Sequence, residues 1–435
     1  MGRNEAGPAD YLKGQGRAVQ LFSNDLEAVF VRRPNRFLII AEHEGREIPC
    51  HCPNPGRLIE FFGFRGYDIP GIKLILERRT GRTAGTAKTA YTAGGIYYRD
   101  GLSGKQVTAP LFSSRANRAA EVFILKEIIP DLVEIKAEHT LGDSRFDFLC
   151  TGRRGRRHLV EVKACSLVEE GIAMFPDAPS SRALKHLEEL ARLSRQGYLC
   201  HVLFVIVHSG PAVFIPNLHT DPTLAAGLFR LGRAANPAPV PALSRLPGNT
   251  AAEPGDRPVL IHAALLRADN RGMAVLANPS IPVDLSHGAL AEKDGGNYLI
   301  VIKLTTEAEA EVGSLGWIRF KAGWYVYTGS ARKNLQSRVN RHLRKIRKQK
   351  HWHLDYLTPL ADTIKALPIF SYRNLECDLA RELSVLGGKP VQGFGASDCK
   401  NCCPAHLYYF RNPPLGDPAF GAMLFRYRHG QALKR

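Results

Sequence analysis

The chain has 435 residues, of which 44% are hydrophobic, 23% charged and 9% aromatic, a make-up that fits two or three globular domains and excludes disorder, collagen and coiled coil as readings of the whole. Lys and Arg number 59 against 41 Asp and Glu, a net charge of +18, which points to an anionic partner. Nucleic acid is expected and a membrane is not, because the longest near-apolar run, Tyr198 to Val207, is about half the ~20 residues that a spanning helix needs.

Residues 1–85 are predicted to hold an N-terminal segment and a small β-barrel or sheet. FLIIAEHEGREIPCHC sets apolar residues on either side of the turn-like His43-Glu44-Gly45, and IKLILERR follows at Ile72 to Arg79. Residues 86–286 read as an α/β domain. Ala119, Val122, Phe123, Leu125 and Ile129 share one side of a helix from Ala116 to Ile129, which Pro130 ends. Strands at Arg145 to Cys150 and His158 to Cys165 flank an Arg/Gly turn, and a helix from Ser181 to Ser194 leads to a buried strand at Leu199 to His208. A Pro-rich loop covers 234–257, after which VLIHAALL and GMAVLA resume the domain as a hairpin. The polar stretch 287–296 separates this part from a further domain at 293–412 and a tail at 413–435. Residues 293–435 carry 23 Lys/Arg and 11 Asp/Glu, so most of the positive balance lies there. The N-terminus lacks a signal-peptide apolar region, and the nine cysteines read as reduced thiols, so a cytoplasmic protein is expected.

Two constellations carry chemistry. In SRFDFL and HLVEVKA, period two puts Glu161 and Lys163 on one face of a strand, and a hairpin brings Asp147 beside them. Two carboxylates suit one or two divalent ions, Mg2+ or Mn2+, and the lysine suits a water or phosphate next to them. Glu121, on the preceding helix, is a fourth candidate. Lys185 and His186 lie on the next helix, where a substrate contact and a solvated face are equally open readings.

The stretches HCPNPG (51–56), SRFDFL, VEVKACSL, GIAMFPDAPSSRALKHLEEL and FIPNLHTDP together resemble the sugar fermentation stimulation protein A family over residues 20–285. The resemblance implies an N-terminal OB-like β-barrel joined to a PD-(D/E)XK nuclease-like α/β domain, with DNA binding and nuclease activity. It also implies that Asp147 and Glu161 are metal ligands, Lys163 the catalytic lysine and Glu121 the helix-borne carboxylate. Where the family has Thr-Gly-Ser after HCPN, this chain has Pro55-Gly56-Arg57, so Arg57 replaces a hydroxyl with a charge at a candidate phosphate contact.

The second constellation is Gly296-Asn297-Tyr298, Tyr325 to Ser330, Arg338 and Glu376. A tyrosine hydroxyl can handle a water's proton, an arginine can stabilise phosphate charge, and one carboxylate can hold a divalent ion. The pattern resembles a GIY-YIG nuclease fold. With HWHLDYL and FGASDCKNCCPAHLYYF it narrows to a GIY-YIG-like α+β domain of unknown function found in archaea and bacteria. The resemblance implies Tyr298, Tyr327 and Arg338 as catalytic and Glu376 as metal-binding. The two tyrosines also fit plain sheet packing, and Ser330 stands where some nucleases of this fold have a lysine, a gap that Lys333 is placed to fill.

From Arg332 to Lys350 nine residues are Lys or Arg and none is acidic, while Leu335, Val339, Leu343 and Ile346 repeat at helical spacing. An all-positive face favours phosphate, which makes Arg332, Lys333, Arg341, Arg344, Lys345, Arg347 and Lys348 candidate nucleic-acid contacts beside Arg57 and Lys185. Cys399, Cys402 and His406, with Cys377 or a further His, read either as free thiols or as zinc ligands.

The reading is a mixed α/β, divalent-metal-dependent nuclease acting on nucleic acid, DNA before RNA, with one candidate site in each half. Its rivals are a non-cleaving DNA-binding regulator of sugar (maltose) metabolism and an RNA-associated adaptor.

Overall fold

The structure, a computed structural model, describes residues 17–54, 56, 58, 72–80, 89–99, 106–142, 144–208, 210–235, 259–346, 349–396, 399 and 403–430. It divides into two compact units, Met1–Gly288 and Ala289–Arg435, with the division inside the polar stretch expected to separate them. Among the described residues no helix is long and apolar enough to cross a membrane.

The first unit opens with β1 (Val19–Gln20), which joins the large sheet described below. The chain then enters a barrel of β2 (Leu26–Asn35), β3 (Leu38–His43), β4 (Arg46–His51), β5 (Lys73–Arg78) and β6 (Tyr91–Arg99). Their order is β4-β3-β2-β5-β6, and β4 pairs in parallel with β6 through Cys50 and His51, which closes the ring and removes its open edges. Alternation along the strands turns Ala28, Phe30, Ile39, Ala41, Leu74, Leu76, Ala93 and Ile96 inward. The barrel therefore runs past the expected limit of residue 85, and β7 (Gln106–Pro110) extends it from β6. Gly94 and Gly95 hide β6 in the sequence because they read as loop residues. Their lack of a side chain admits Phe22, whose Cζ would lie 2.9 Å from a Cβ on Gly95.

The α/β layer is a seven-stranded sheet that adds β8 (Leu132–Leu141), β9 (Ser144–Gly152), β10 (Arg157–Cys165), β13 (Leu199–Val207), β15 (Leu260–Ala268) and β16 (Met273–Asn278) to β1. Its order is β1-β16-β15-β13-β10-β9-β8, and β10, β13 and β15 run parallel; β11 (Leu167–Glu169), β12 (Ile172–Phe175) and β14 (Val213–Pro216) form a separate three-stranded sheet. The helices Ser181–Ser194 and Pro222–Ala235 lie in the connections between these parallel strands. LCHVLFVIV in β13 is almost wholly apolar because both faces are covered. Val202, Phe204 and Ile206 meet Leu187, Leu190 and Leu193 on one face. On the other, Leu203 and Val205 meet Ala119, Phe123, Ile124 and Leu125. The expected helix over 116–129 is present, with a π-helical turn at Ala120–Ile124 in its middle. Just before it, the Arg115 guanidinium reaches Glu77 on β5 with hydrogen bonds of 2.7 and 2.8 Å and lies over the Phe112 ring, so it joins the barrel to the layer.

In the second unit β17 (Gly296–Leu304), β20 (Gly323–Ala331), β21 (Thr363–Phe370), β22 (Lys389–Pro390) and β23 (Leu407–Phe410) form an antiparallel sheet of order β21-β17-β20-β23-β22, and β18 (Ala308–Glu311) and β19 (Trp317–Phe320) pair as a separate hairpin. The basic helix expected to reach residue 350 covers only Leu335–Leu343, and Arg344 is extended. Like charges at i, i+3 and i+4 disfavour its continuation, and Lys345 instead donates to the Ala361 and Asp362 carbonyls, leaving Ile346 75% exposed. The expected C-terminal tail contains a helix, Pro418–His429, that buries Phe420, Met423, Leu424 and Phe425.

His158, His201 and His262 stand side by side on β10, β13 and β15, each ring nitrogen pair 3.0 Å apart. Burial, helped by the neighbouring imidazoles, pushes His201 down to about 3, and burial pushes His262 down to about 4. An unfolded histidine titrates near 6.5, so below that pH the unfolded chain takes up protons that the folded chain does not. Stability is full above pH 6.5 and falls as the pH drops toward 4, by about 2 kcal/mol per histidine at pH 5. Amide exchange of residues 199–207, corrected for intrinsic rate, is expected to show this loss of protection between pH 6.5 and 4.5; an unchanged opening free energy would refute it.

Candidate functional site

Glu161 is 4% exposed on β10, on the face toward the helix Ser181–Ser194. Its Oε1 accepts hydrogen bonds from Lys163 Nζ and contacts His186 Nδ1, both at 2.5 Å. Burial would raise its pKa, but His186 and Lys163 outweigh that and hold it below the ordinary glutamate value. The other oxygen, Oε2, is buried without a hydrogen-bond partner. The β9–β10 hairpin carries Asp147 to the same place, where its Oδ2 accepts from the Val162 amide at 2.7 Å and its Oδ1 from Asn117 Nδ2 at 2.7 Å. Burial and then the Glu161 charge raise the Asp147 pKa, against the pull of Val162, Asn117 and Lys163. The expected convergence of Asp147, Glu161 and Lys163 is thus present.

Two further residues belong to this group. Asn117 reaches Asp147 from the helix at 116–128, while Glu121, four residues on, pairs with Arg118 at 2.8 Å. Of the two residues left open on the next helix, His186 enters the site and Lys185 is exposed. The sequence carried that signal: His186 falls in the buried stripe of Ala183, Leu187 and Leu190, where a polar side chain needs a partner. Arg57 lies outside the described residues.

In the second unit Tyr298 and Tyr327 are 2% and 6% exposed, with ring centroids 6.4 Å apart. Gly329 faces Tyr298 across β17 and β20, and a Cβ there would lie 2.3 Å from the Tyr298 ring, which explains a glycine at that position. Burial raises both tyrosines above the ordinary phenol value, Glu376 adds to this and Arg338 opposes it. Arg338 donates to the Ser330 carbonyl at 3.0 Å. Glu376 opens the helix Glu376–Val385; its Oε2 accepts from Ser330 Oγ at 2.7 Å, and its Oε1 lies 3.0 Å from His406 Nδ1. The four expected residues therefore meet, with both oxygens of Glu376 already engaged.

Behind them runs a chain that sequence reasoning missed. The Tyr298 hydroxyl is 3.0 Å from His342 Nε2, and His342 Nδ1 is 3.9 Å from Asp355 Oδ1. Asp355, 1% exposed, is gripped by Arg341 at 3.1 and 3.0 Å and by the amides of His351 and Trp352. Arg341 also lies over the Trp352 ring at 4.1 Å. Its expected assignment as a nucleic-acid contact is corrected: a bidentate pair with a buried carboxylate makes it part of the framework. Lys345 is likewise drawn onto backbone carbonyls. Arg332, Lys333 and Arg344 are exposed and pair with no acid among the described residues, whereas Arg347 and Lys348 lie outside them.

Cys399 and His406 are close together as expected, but Cys402 lies outside the described residues and Cys403 stands in the group instead, with Cys377. Cys50, Cys52, Cys150, Cys165, Cys200, Cys399 and Cys403 take part in no disulfide, whereas Cys377 is disulfide-bonded, contrary to the expectation of reduced thiols throughout.

Three family models match the chain. They are the SfsA N-terminal OB domain over residues 31–102, the sugar fermentation stimulation protein RE domain over 114–235 and the domain of unknown function DUF123 over 297–419. The sugar fermentation stimulation protein homolog of Desulfitobacterium hafniense is 34% identical over 209 residues, 48% of this chain and 85% of that protein. The homologs of Pyrobaculum arsenaticum and Alkaliphilus oremlandii are 36% and 37% identical over 47% and 45% of this chain, and 82% and 80% of their own. A solved structure of Pyrococcus furiosus SfsA in complex with Ca2+ is 27% identical and covers 61% of this chain and 99% of its own, with a TM-score of 0.46.

Asp355→Ala would leave Arg341 and two amides without their acceptor, and breaking a buried pair of this kind costs about 3 kcal/mol. Trp317, Trp324 and Trp352 all lie in the second unit, so denaturant unfolding followed by tryptophan fluorescence reports on that unit. A loss of that size is expected for Asp355→Ala and less than about 0.5 kcal/mol for exposed Arg344→Ala; equal stability of the two would refute the framework assignment.

Proposed function

The chain belongs to the sugar fermentation stimulation protein family, and on that footing we propose that its first unit is a divalent-metal-dependent nuclease that hydrolyses phosphodiester bonds of nucleic acid. The observation that carries this reading is Glu161 Oε2: a buried carboxylate oxygen with no partner, in a group where Glu161 Oε1 and both oxygens of Asp147 are hydrogen-bonded. Such an oxygen suits a hard cation, and Asp147 supplies a second carboxylate beside it, so the donors fit Mg2+ or Mn2+. Held by Asp147 and Glu161, such a cation would supply charge neutralisation to the phosphate and a lowered pKa to a water.

The chain's own residues do the rest. Lys163 and His186 keep Glu161 ionised although it is buried, and the Val162 amide and Asn117 fix the Asp147 carboxylate. The Lys163 ammonium, on the same strand face, stands ready to orient an attacking water or to stabilise the negative charge of the phosphate. Residues Arg332, Lys333 and Arg344 of the second unit offer free cations to a phosphate backbone. In that unit Tyr298, Tyr327, Arg338 and Glu376 form a second candidate cleavage site, with His342 placed at the Tyr298 hydroxyl as a proton partner.

Glu161→Gln is expected to lower Mg2+-dependent or Mn2+-dependent cleavage of labelled single- or double-stranded DNA or RNA by about a hundredfold or more, with binding within about threefold of wild type. His186→Ala is expected to raise the metal concentration needed about tenfold, with activity recovered at high metal. Binding without cleavage on every substrate and with either metal would overturn the nuclease reading in favour of the non-cleaving regulator. Cleavage that survives Glu161→Gln but not Glu376→Ala would move the activity to the second unit.

A further inference from the structure

We propose that Cys377, Cys399, Cys403 and His406 form a tetrahedral zinc site in the second unit, immediately behind the Glu376 carboxylate. The ligand atoms of the four residues all lie within 4.8 Å of one another. Cys377 Sγ and Cys399 Sγ are 3.4 Å apart, and Cys399 Sγ and Cys403 Sγ 3.7 Å. A tetrahedron with zinc–sulfur bonds near 2.3 Å has an edge of about 3.8 Å, so the sulfurs already stand at ligand spacing. Three thiolates and an imidazole are a soft donor set, which selects Zn2+ and disfavours the hard cations suited to Asp147 and Glu161.

The histidine gives an independent reason. His406 is 5% exposed, and neither ring nitrogen has a directed hydrogen bond. Its Nδ1 nevertheless lies 3.0 Å from Glu376 Oε1. A carboxylate beside one nitrogen of a buried imidazole fixes the proton there and leaves the other lone pair for a metal, the usual outer partner of a zinc-bound histidine. Cys377 sits in the first turn of the helix Glu376–Val385, Cys399 and Cys403 in the loop before β23, and His406 next to β23. A metal shared among them ties that loop to the helix end that carries Glu376.

Since Cys377 is disulfide-bonded, the four-ligand site belongs to the reduced chain. A dithiol reductant supplies two electrons and two protons, the sulfur–sulfur bond breaks, both sulfurs become thiols, and the reductant is converted to its own disulfide. Zn2+ then displaces the thiol protons to solvent.

The whole untagged chain, produced with zinc in the medium and purified with a dithiol, is measured by elemental analysis. About one zinc per chain is expected, retained on dialysis. Cys399→Ser and His406→Gln should lower this at least about fivefold, and Cys150→Ala, a buried thiol of the first unit, should not. Less than about one fifth of an equivalent in the wild-type chain, or unchanged content in both ligand variants, overturns the proposal. Because a ligand variant can fail to fold, the zinc-stripped wild-type chain is also loaded with Co2+. Intense tetrahedral bands with sulfur-to-cobalt charge transfer support the site, and weak octahedral bands overturn it. Treatment with a disulfide-forming oxidant should release the metal, and full retention would remove Cys377 from the ligand set and overturn the four-ligand assignment.

Discussion

A carboxylate removed from water stays ionised only if it is given counter-charge or hydrogen-bonding partners, and the first unit is arranged around that requirement at Glu161. The β10 strand lies inside the seven-stranded sheet, so most of its side chains are apolar, and Glu161 occupies a position that apolar packing alone would refuse. Lys163 answers from the same strand, two residues on. His186 answers from the helix Ser181–Ser194, which docks through Leu187, Leu190 and Leu193. The register of that helix on the sheet is therefore also the register of the site: a slip of one residue would withdraw the imidazole and leave the buried charge with one partner fewer.

The second unit meets the same requirement in another way, and the contrast separates scaffold from site. Asp355 is fully buried and fully answered, with a bidentate guanidinium and two backbone amides on its oxygens. Glu161 has one oxygen crowded and one empty. A saturated carboxylate fixes a fold, whereas one with an unfilled oxygen is ready for a ligand. Glu376 falls between them, bonded by Ser330 and faced by His406, so it is better placed to orient its neighbours than to hold a cation alone.

Much of this was legible in the sequence because it follows from short periods. Two-residue alternation located Glu161 and Lys163 on one face, the hairpin turn supplied Asp147, and the 3.6-residue stripe gave the helix Ser181–Ser194 its limits. What was not legible depended on residues that break their local rule. Gly94 and Gly95 hid a barrel strand because room for Phe22 mattered more than strand propensity, and Val19–Gln20 joined a sheet whose other strands begin more than a hundred residues later. His186 and His342 lay within apolar stripes, and only their partners, Glu161 and Tyr298, show why a polar side chain is tolerated there.

The basic segment 332–350 shows how charge in a sequence overstates charge available to a ligand. Read as one helix, it offered Arg332, Lys333, Arg341, Arg344, Lys345, Arg347 and Lys348 to phosphate and Arg338 to catalysis. Arg341 is used by Asp355 and Trp352, Arg338 by the Ser330 carbonyl and Lys345 by the carbonyls of Ala361 and Asp362. The same commitments end the helix at Leu343, since the side chains that would repel along a continued helix are turned toward acceptors instead. Among the described residues of the segment, Arg332, Lys333 and Arg344 are exposed on either side of the helix, and Lys350 is exposed over the Tyr356 ring. The segment is therefore not a continuous cationic rod: its exposed charges lie outside the helix and those within it are turned onto protein acceptors.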